Sequence, residues 1–156
     1  MLGIARQTDY AVRVVLHLAC LEAGVQVSIA EISETRKLPM PFVRRLIKPL
    51  VSAGILASAR GSSGGIRLAR AARDITLLEV VAAMEGGLAL NHCADDHKGC
   101  PLASGCPVRP VWVGASQVLE AHLAEIRFDA LAVGSEGHAV AHAKLRTRAA
   151  EGKAAR

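Results

Sequence analysis

Three of the four cysteines of this chain lie close together, in a short segment interrupted by glycine and proline. They are Cys93, Cys100 and Cys106, separated by six and five residues. Three thiolates that converge from one loop can bind a soft metal ion or an iron–sulfur cluster. Both intervals are wider than the roughly two to four residues usual between paired zinc ligands. The spacing therefore favours a cluster over zinc.

A zinc site and a set of redox-active thiols are the alternatives for this loop. His92 and His97 could complete a zinc site, although a solvated loop residue is the favoured interpretation of each. A structural disulfide is not expected, because no signal peptide and no membrane-spanning run is visible in the sequence. We therefore predict a cytoplasmic protein, in which thiols stay reduced.

Three thiolates leave one iron of a four-iron cluster without a protein ligand. Asp9 is a candidate for that position. Its position has a simpler explanation as well, since a carboxylate in the first turn of a helix is favoured by the helix dipole and can pair with Arg13 four residues on. The residues alone favour this simpler explanation.

The composition indicates one folded, mainly helical domain. The chain has 156 residues, of which 51% are hydrophobic, 21% charged and only 3% aromatic. Few aromatic residues favour helix packing over a β-sandwich. The net charge of +5 permits nucleic-acid binding without requiring it. No enzyme motif is visible, since the glycine-rich segment 61–65 lacks the Lys-Ser/Thr of a phosphate-binding loop.

Hydrophobic spacing and capping signals predict two helices at the start of the chain. The first, over residues 8–23, is apolar on most sides with a polar stripe of Asp9, Arg13 and His17, and it ends at Gly24. Cys20 in this helix is expected to be a buried core residue. A capping box that starts at Ser28 opens the second helix, which we expect to end near residue 37.

A third helix is predicted from Pro41 to a close at Gly54, with Pro49 expected to kink or shorten it. Its apolar residues recur at the spacing of a buried face: Val43, Leu46, Ile47 and Leu50. Two short strands, 55–60 and 66–68, then flank the glycine-rich tip at 61–65.

Helix, turn, helix and a glycine-tipped hairpin follow in the order of a winged helix-turn-helix. We therefore predict that the third helix enters the major groove of double-stranded DNA and that the hairpin approaches the backbone or the minor groove. The predicted DNA contacts are Arg44, Arg45 and Lys48 on the helix, with Arg60, Ser62, Ser63 and Arg67 on the hairpin. A solvated basic face on a plain helical protein is the alternative.

The second half begins with a capping box at Thr76, which predicts a helix to residue 84. After Pro107 we expect a long helix to residue 126, with an apolar stripe suited to a partner helix: Trp112, Leu119, Leu123 and Ile126. The predicted organisation is a DNA-binding domain (1–85), a cysteine loop (86–107), a dimerisation helix with its end segment (108–132) and a basic, alanine-rich tail without stable structure (133–156).

Three segments together resemble the IscR/NsrR family of bacterial winged-helix regulators. They are QTDYAVR at residues 7–13, the wing RGSSGGIRL at residues 60–68, and the cysteine loop. The resemblance spans about residues 5–131 and implies a homodimer held by the long helix. It also implies a 4Fe-4S or 2Fe-2S cluster on the three cysteines and binding to a DNA operator, usually as a repressor.

Within that family the chain looks most similar to the NsrR type, which senses nitric oxide. The IscR type has a histidine three residues after the last cysteine, where this chain has Arg109. The start Thr8-Asp9-Tyr10 looks like NsrR, in which the matching aspartate is a cluster ligand donated by the other subunit. This resemblance implies that Asp9 is the fourth ligand. Rhizobial iron regulators have a similar loop and wing, so iron or redox state are the alternative signals.

Overall fold

The computed structural model describes residues 3–59, 61, 64–91, 94, 100–102 and 105–134. Its elements confirm the predicted mainly α fold with a two-stranded wing. None of the described helices is long and apolar enough to span a membrane. In chain order the elements are α1 (Arg6–Ala19), α2 (Ile29–Arg36), α3 (Met40–Ser52), β1 (Leu56–Ala59), β2 (Gly65–Leu68), a short 3-10 helix (Ala72–Asp74), α4 (Leu77–Glu85), α5 (Arg109–Glu125) and α6 (Phe128–Val133).

Helix α1 is displaced from its predicted position by a few residues. It begins at Arg6 and ends at Ala19, earlier than the predicted end at residue 23. The chain leaves the helix because Val27 must lie beside the wing, where its N–H and C=O bond to Ile66 at 3.0 and 2.8 Å. Tertiary pairing thus ends a helix that the apolar pattern would have continued.

The turn between α2 and α3 is built from local hydrogen bonds. The Ser28 hydroxyl accepts the N–H of Glu31 at 3.1 Å, as the predicted capping signal requires. At the other end, Lys37 adopts a left-handed conformation (φ 53°) and stops α2 one residue before the predicted end. The buried Leu38 then enters the core, and its carbonyl accepts a hydrogen bond from Ser33.

Helix α3 is not shortened at Pro49 but continues to Ser52. Leu46 and Leu50 on either side of the proline are buried, and their packing holds the helical turn that the missing N–H would weaken. Gly54 closes the segment with a positive φ of 67°, as predicted.

The wing is a two-stranded antiparallel sheet in which Leu56 pairs with Leu68 and Ala59 with Gly65. Glycine is required at residue 65, because a Cβ there would lie 2.9 Å from the carbonyl oxygen of Val27. Strand β2 therefore lies between β1 and the Val27 bridge, which attaches the wing to the helical core.

The end of the described chain returns to α1 and the 3-10 helix through α6, which the sequence pattern did not predict. Phe128 is fully buried, and its N–H bonds to the carbonyl of Ile75 at 3.1 Å. The predicted capping box of α4 is present, since Thr76 and Glu79 each accept the other's backbone N–H, at 3.2 and 2.8 Å. Most of the tail predicted to lack structure, residues 135–156, lies outside the described residues.

Candidate nucleic-acid interface and cysteine loop

The exposed face of α3 carries the basic residues predicted to contact DNA. Arg44, Arg45 and Lys48 are all exposed. The opposite face is buried in the core through Val43, Leu46 and Leu50. Apolar packing fixes the buried face of the helix, so the cations on its exposed face form a rigid, positively charged surface that can bind a polyanion.

Two aromatic rings join this face to α1. The Phe42 ring packs edge-to-face against Tyr10, with centroids 6.0 Å apart and an interplanar angle of 89°. The guanidinium of Arg45 lies 6.0 Å from the Phe42 ring centroid, and that of Arg13 lies 6.0 Å from the Tyr10 centroid. These contacts restrict both arginines and make one continuous surface from α1 to the start of α3.

The wing residues predicted to contact DNA are described only in part. Arg67 is half-buried on β2, and its Nη1 donates to the carbonyl of Leu68 at 3.2 Å. Arg60, Ser62 and Ser63 lie outside the described residues. Gly61 has a positive φ of 110°, a conformation that favours glycine, and its carbonyl accepts the N–H of Gly64 at 3.0 Å.

Asp9 lies on the exposed side of α1, where it pairs with Arg13. The Oδ2 to Nη2 distance is 2.8 Å, and about half of each side chain is exposed (49% and 51%). This is the local pairing that the sequence offered as the simpler explanation of Asp9. At this exposure the ion pair contributes little to stability, about 0.3–0.5 kcal/mol for a helical pair.

The predicted polar stripe of α1 is wrong at His17. The histidine is only 1% exposed, and its Nδ1 accepts a hydrogen bond from Nε of Arg36 at 3.2 Å. Burial holds the pKa of the Arg36 guanidinium below its usual value, and its interaction with Cys20 partly offsets this effect. Cys20, predicted to be a buried core residue, is only half-buried and interacts with that cation.

The cysteine loop is attached to the fold at its first residues. Gly86 and Gly87 both have positive φ (81° and 151°), so the chain turns sharply away from the end of α4. The N–H of Leu90 then donates to the Ser116 hydroxyl at 3.0 Å, and that hydroxyl donates to the carbonyl of Trp112 at 2.9 Å. Ser116 is 6% exposed, so α5 holds the entrance of the loop through a buried bond.

Two of the three loop cysteines can be placed. Cys100 and Cys106 are half-buried free thiols, whereas Cys93, His92 and His97 lie outside the described residues. Within the described ranges no group of three or more histidine, cysteine or acidic side chains is placed to hold a metal ion. The donors suit a soft metal, since each placed cysteine is a thiol that no disulfide consumes.

Part of the apolar stripe predicted for a partner helix packs within the chain instead. Leu123 is buried, and Leu119 lines an apolar cavity of about 310 Å³ together with Val81 of α4. The large apolar side chains of α5 that remain exposed are Val111 (62%) and Val118 (72%), which lie seven positions apart and share one face of the helix.

Residues 4–134 match the model of the Rrf2 family, which is described as "iron-dependent transcriptional regulator". This chain belongs to the Rrf2 family. Protein aau3 of Rhizobium meliloti (strain 1021) is 35% identical over 105 residues, which are 66% of this chain and 67% of that protein. Protein rrf2 of Nitratidesulfovibrio vulgaris (strain Hildenborough) is 29% identical over 116 residues, or 74% of this chain and 77% of that one.

Solved structures agree with the Rrf2 assignment. The IscR of T. potens matches with a TM-score of 0.67 and 28% identity, over 87% of this chain and 90% of that one. CymR (YrzC), the global cysteine regulator of B. subtilis, matches with a TM-score of 0.70 over 86% of this chain and 99% of that one. At 23% identity the second likeness shows the fold alone. The chain is therefore a DNA-binding transcription regulator and not an enzyme.

Proposed function

We propose that this Rrf2 regulator binds operator DNA as a homodimer and represses transcription until an iron–sulfur cluster on its cysteine loop is damaged by nitric oxide. The exposed basic face of α3 is the observation that carries the DNA-binding part. Its cations are Arg44, Arg45 and Lys48, and they project from a helix whose other side is fixed in the core.

The wing supplies the second set of proposed DNA contacts. We add Arg67 of β2 to the interface, and we assign Arg60, Ser62 and Ser63 to the backbone or the minor groove because in the sequence they lie within or beside the glycine-rich segment 61–65. Hydroxyls and backbone amides at such a tip can donate to phosphate oxygens. These contacts would set the register of α3 without specifying bases.

The proposed ligands are Cys93, Cys100 and Cys106 of one subunit and Asp9 of the partner subunit. Thiolates are the donors that iron–sulfur clusters require, and such a cluster supplies iron that nitric oxide can attack. Asp9 is exposed on α1, where a partner subunit can reach it once the bond to Arg13 opens. A carboxylate is a hard donor beside soft thiolates, so it is the ligand most easily displaced.

The contacts of α1 then explain how the loop can control DNA binding. Asp9 is followed by Tyr10, whose ring packs against Phe42 in the first turn of α3. Moving Asp9 between Arg13 and a site on the partner subunit would shift this part of α1 and thereby the start of α3. Two positions of α3 with different DNA affinity are what a switch needs.

Iron availability is the second candidate signal, because the matching family is described as iron-dependent. The same residues would bind the cluster, and its loss under iron limitation would replace its destruction by nitric oxide.

The test is anaerobic purification of the full chain, followed by visible spectroscopy and by iron and sulfide analysis. We expect a brown protein with stoichiometric iron and sulfide, whose affinity for an operator selected from random duplex DNA falls when nitric oxide is added. Affinity that falls with an iron chelator but not with nitric oxide favours the iron signal. A colourless protein that contains zinc, or no metal at all, would overturn the cluster and leave a zinc-containing or thiol-based regulator.

A further inference from the structure

Phe42 is a large, exposed apolar side chain that lies beside the cations of α3. It is 44% exposed and lies in the first turn of α3, next to the basic face. The residues at the start of a recognition helix are the ones that approach base edges. Its exposed ring therefore lies where the helix would meet the floor of the major groove.

The ring is held in place before any DNA is bound. Tyr10 packs against its edge, and the Arg45 guanidinium lies 6.0 Å from its centroid, three residues along the helix. Because these two neighbours restrict rotation of the Phe42 side chain, little side-chain entropy is lost when DNA binds. A restrained apolar group that remains half-exposed is suited to an apolar feature of the ligand.

We propose that Phe42 is a specificity-determining residue that contacts the 5-methyl group of a thymine in the operator. This inference rests on the proposed entry of α3 into the major groove. A phenyl ring has no hydrogen-bond donor or acceptor, and the thymine methyl is the apolar group that distinguishes one base pair from another in that groove. Arg45 lies beside Phe42, so this thymine lies next to a base or phosphate contacted by Arg45.

The experiment removes the methyl group and leaves every hydrogen bond of the base pair unchanged. The full-length protein first selects its preferred duplex from random-sequence DNA. Each thymine of that duplex is then replaced in turn by deoxyuridine, and the dissociation constant is measured for wild type, for Phe42→Ala and for Lys48→Ala. Lys48→Ala is the matched control, because it changes an exposed residue on the same helix.

Wild type should lose about fourfold in affinity at one thymine of each half-site, which corresponds to about 0.8 kcal/mol for one buried methyl group. Phe42→Ala should bind the thymine and deoxyuridine duplexes equally at that position. Lys48→Ala should keep the fourfold response, whatever its overall affinity. The difference between the wild-type and the Phe42→Ala responses to deoxyuridine then gives the free energy of interaction between Phe42 and the methyl group.

A wild-type protein that responds to deoxyuridine at no position overturns the inference, and so does Phe42→Ala with the wild-type response. If Phe42→Ala unfolds after losing its contact with Tyr10, Phe42→Gln replaces it and should also lose the response. Failure of the proposed function has a different signature: Arg44→Ala and Arg45→Ala then leave operator affinity unchanged as well. If those variants weaken binding while the deoxyuridine profile stays flat, α3 reads the DNA and Phe42 does not.

Discussion

Thr8 and Glu85 are hydrogen-bonded across 77 residues of sequence, which joins the start of α1 to the end of α4. The Thr8 hydroxyl donates to Oε1 of Glu85, and the same oxygen accepts the N–H of Ala5 at 3.1 Å. Thr8 is fully buried and precedes Asp9, whereas Glu85 precedes the glycines that open the cysteine loop. One carboxylate thus caps the helix that carries the proposed fourth ligand and fixes the origin of the loop that carries the other three.

The two partners of this bond should contribute unequally to stability. Glu85→Ala leaves the buried Thr8 hydroxyl without its acceptor, so we expect it to lower the free energy of unfolding by about 1–3 kcal/mol. Thr8→Val removes the donor, and the exposed Glu85 carboxylate can form hydrogen bonds with water instead. The free energy of unfolding should therefore fall by only about 0.5–1.5 kcal/mol. Urea unfolding measures both, with Glu34→Ala at an exposed position of α2 as the control. A Thr8→Val loss larger than that of Glu85→Ala would contradict this account.

Operator binding should depend on the exposed cations of α3. Arg44→Ala or Arg45→Ala should weaken it by about 1–3 kcal/mol where the side chain contacts a base edge. Binding is measured against a selected duplex, and Arg73→Ala on the 3-10 helix is the matched control, because it removes one exposed positive charge elsewhere. Unchanged affinity in both α3 variants, with an intact fold, would exclude this helix as the reader.

The sequence predicted those parts of the interface that depend on local rules. The apolar spacing of Val43, Leu46 and Leu50 placed the cations on the outer face of α3, and the structure buries these apolar residues as expected. The capping boxes at Ser28 and Thr76 placed two helix starts correctly, because a cap needs only residues within one turn.

Relationships between distant segments could not be predicted in this way. His17 has the helical spacing of a solvated stripe with Asp9 and Arg13, yet Arg36 from α2 covers it. Periodicity describes one helix and contains no information on which neighbour packs against it. The hydrogen bond between Thr8 and Glu85 could not be predicted for the same reason, because neither residue type nor local spacing indicates a partner 77 positions away.

The stability of the α4 start should depend on pH through Glu79. Although burial raises its pKa, hydrogen bonds from the Thr76 backbone and from Arg70 outweigh this and hold the pKa of Glu79 below the usual 4.5. The ionised form is therefore favoured in the folded state. Its contribution is present above about pH 4.5 and is lost as the pH falls through the lower folded-state pKa.

Glu79→Gln should accordingly reduce the dependence of stability on pH in the acidic range. Wild type should be the more stable protein at neutral pH, and its advantage should shrink below about pH 4.5. Urea unfolding from neutral pH down to about pH 3 measures this. Glu34→Gln is the control, on an exposed site of α2. Parallel stability curves for wild type and Glu79→Gln would show that the carboxylate is not ionised preferentially in the folded protein.

Serine at any one of Cys93, Cys100 or Cys106 should abolish stable cluster binding, because a hydroxyl is a poor donor for iron in a sulfide cluster. Cys20→Ser is the control: it makes the same substitution just after the end of α1, beside Arg36 of α2 and outside the loop, and should leave the cluster intact. Visible absorbance with iron and sulfide content after anaerobic purification gives the result. A fully loaded cluster in one of the loop variants would remove that cysteine from the ligand set.

Asp9→Ala should keep the dimer but make the cluster more labile or change its reaction with nitric oxide. The local explanation of Asp9 predicts something else: loss of a half-exposed ion pair with Arg13, a stability cost of at most about 0.5 kcal/mol and unaltered cluster chemistry. Arg13→Ala separates the two, since it breaks the same ion pair and leaves the carboxylate in place.

Anaerobic titration with nitric oxide, followed by visible absorbance, should therefore group Arg13→Ala with wild type and set Asp9→Ala apart. Three thiolates leave one iron position for an oxygen or nitrogen ligand, and Arg109 stands where the IscR type has a histidine. Superimposable titrations for all three proteins would eliminate Asp9 as a ligand and make His92 and His97 the next residues to replace. An altered titration in Arg13→Ala as well would assign the effect to the ion pair rather than to ligation.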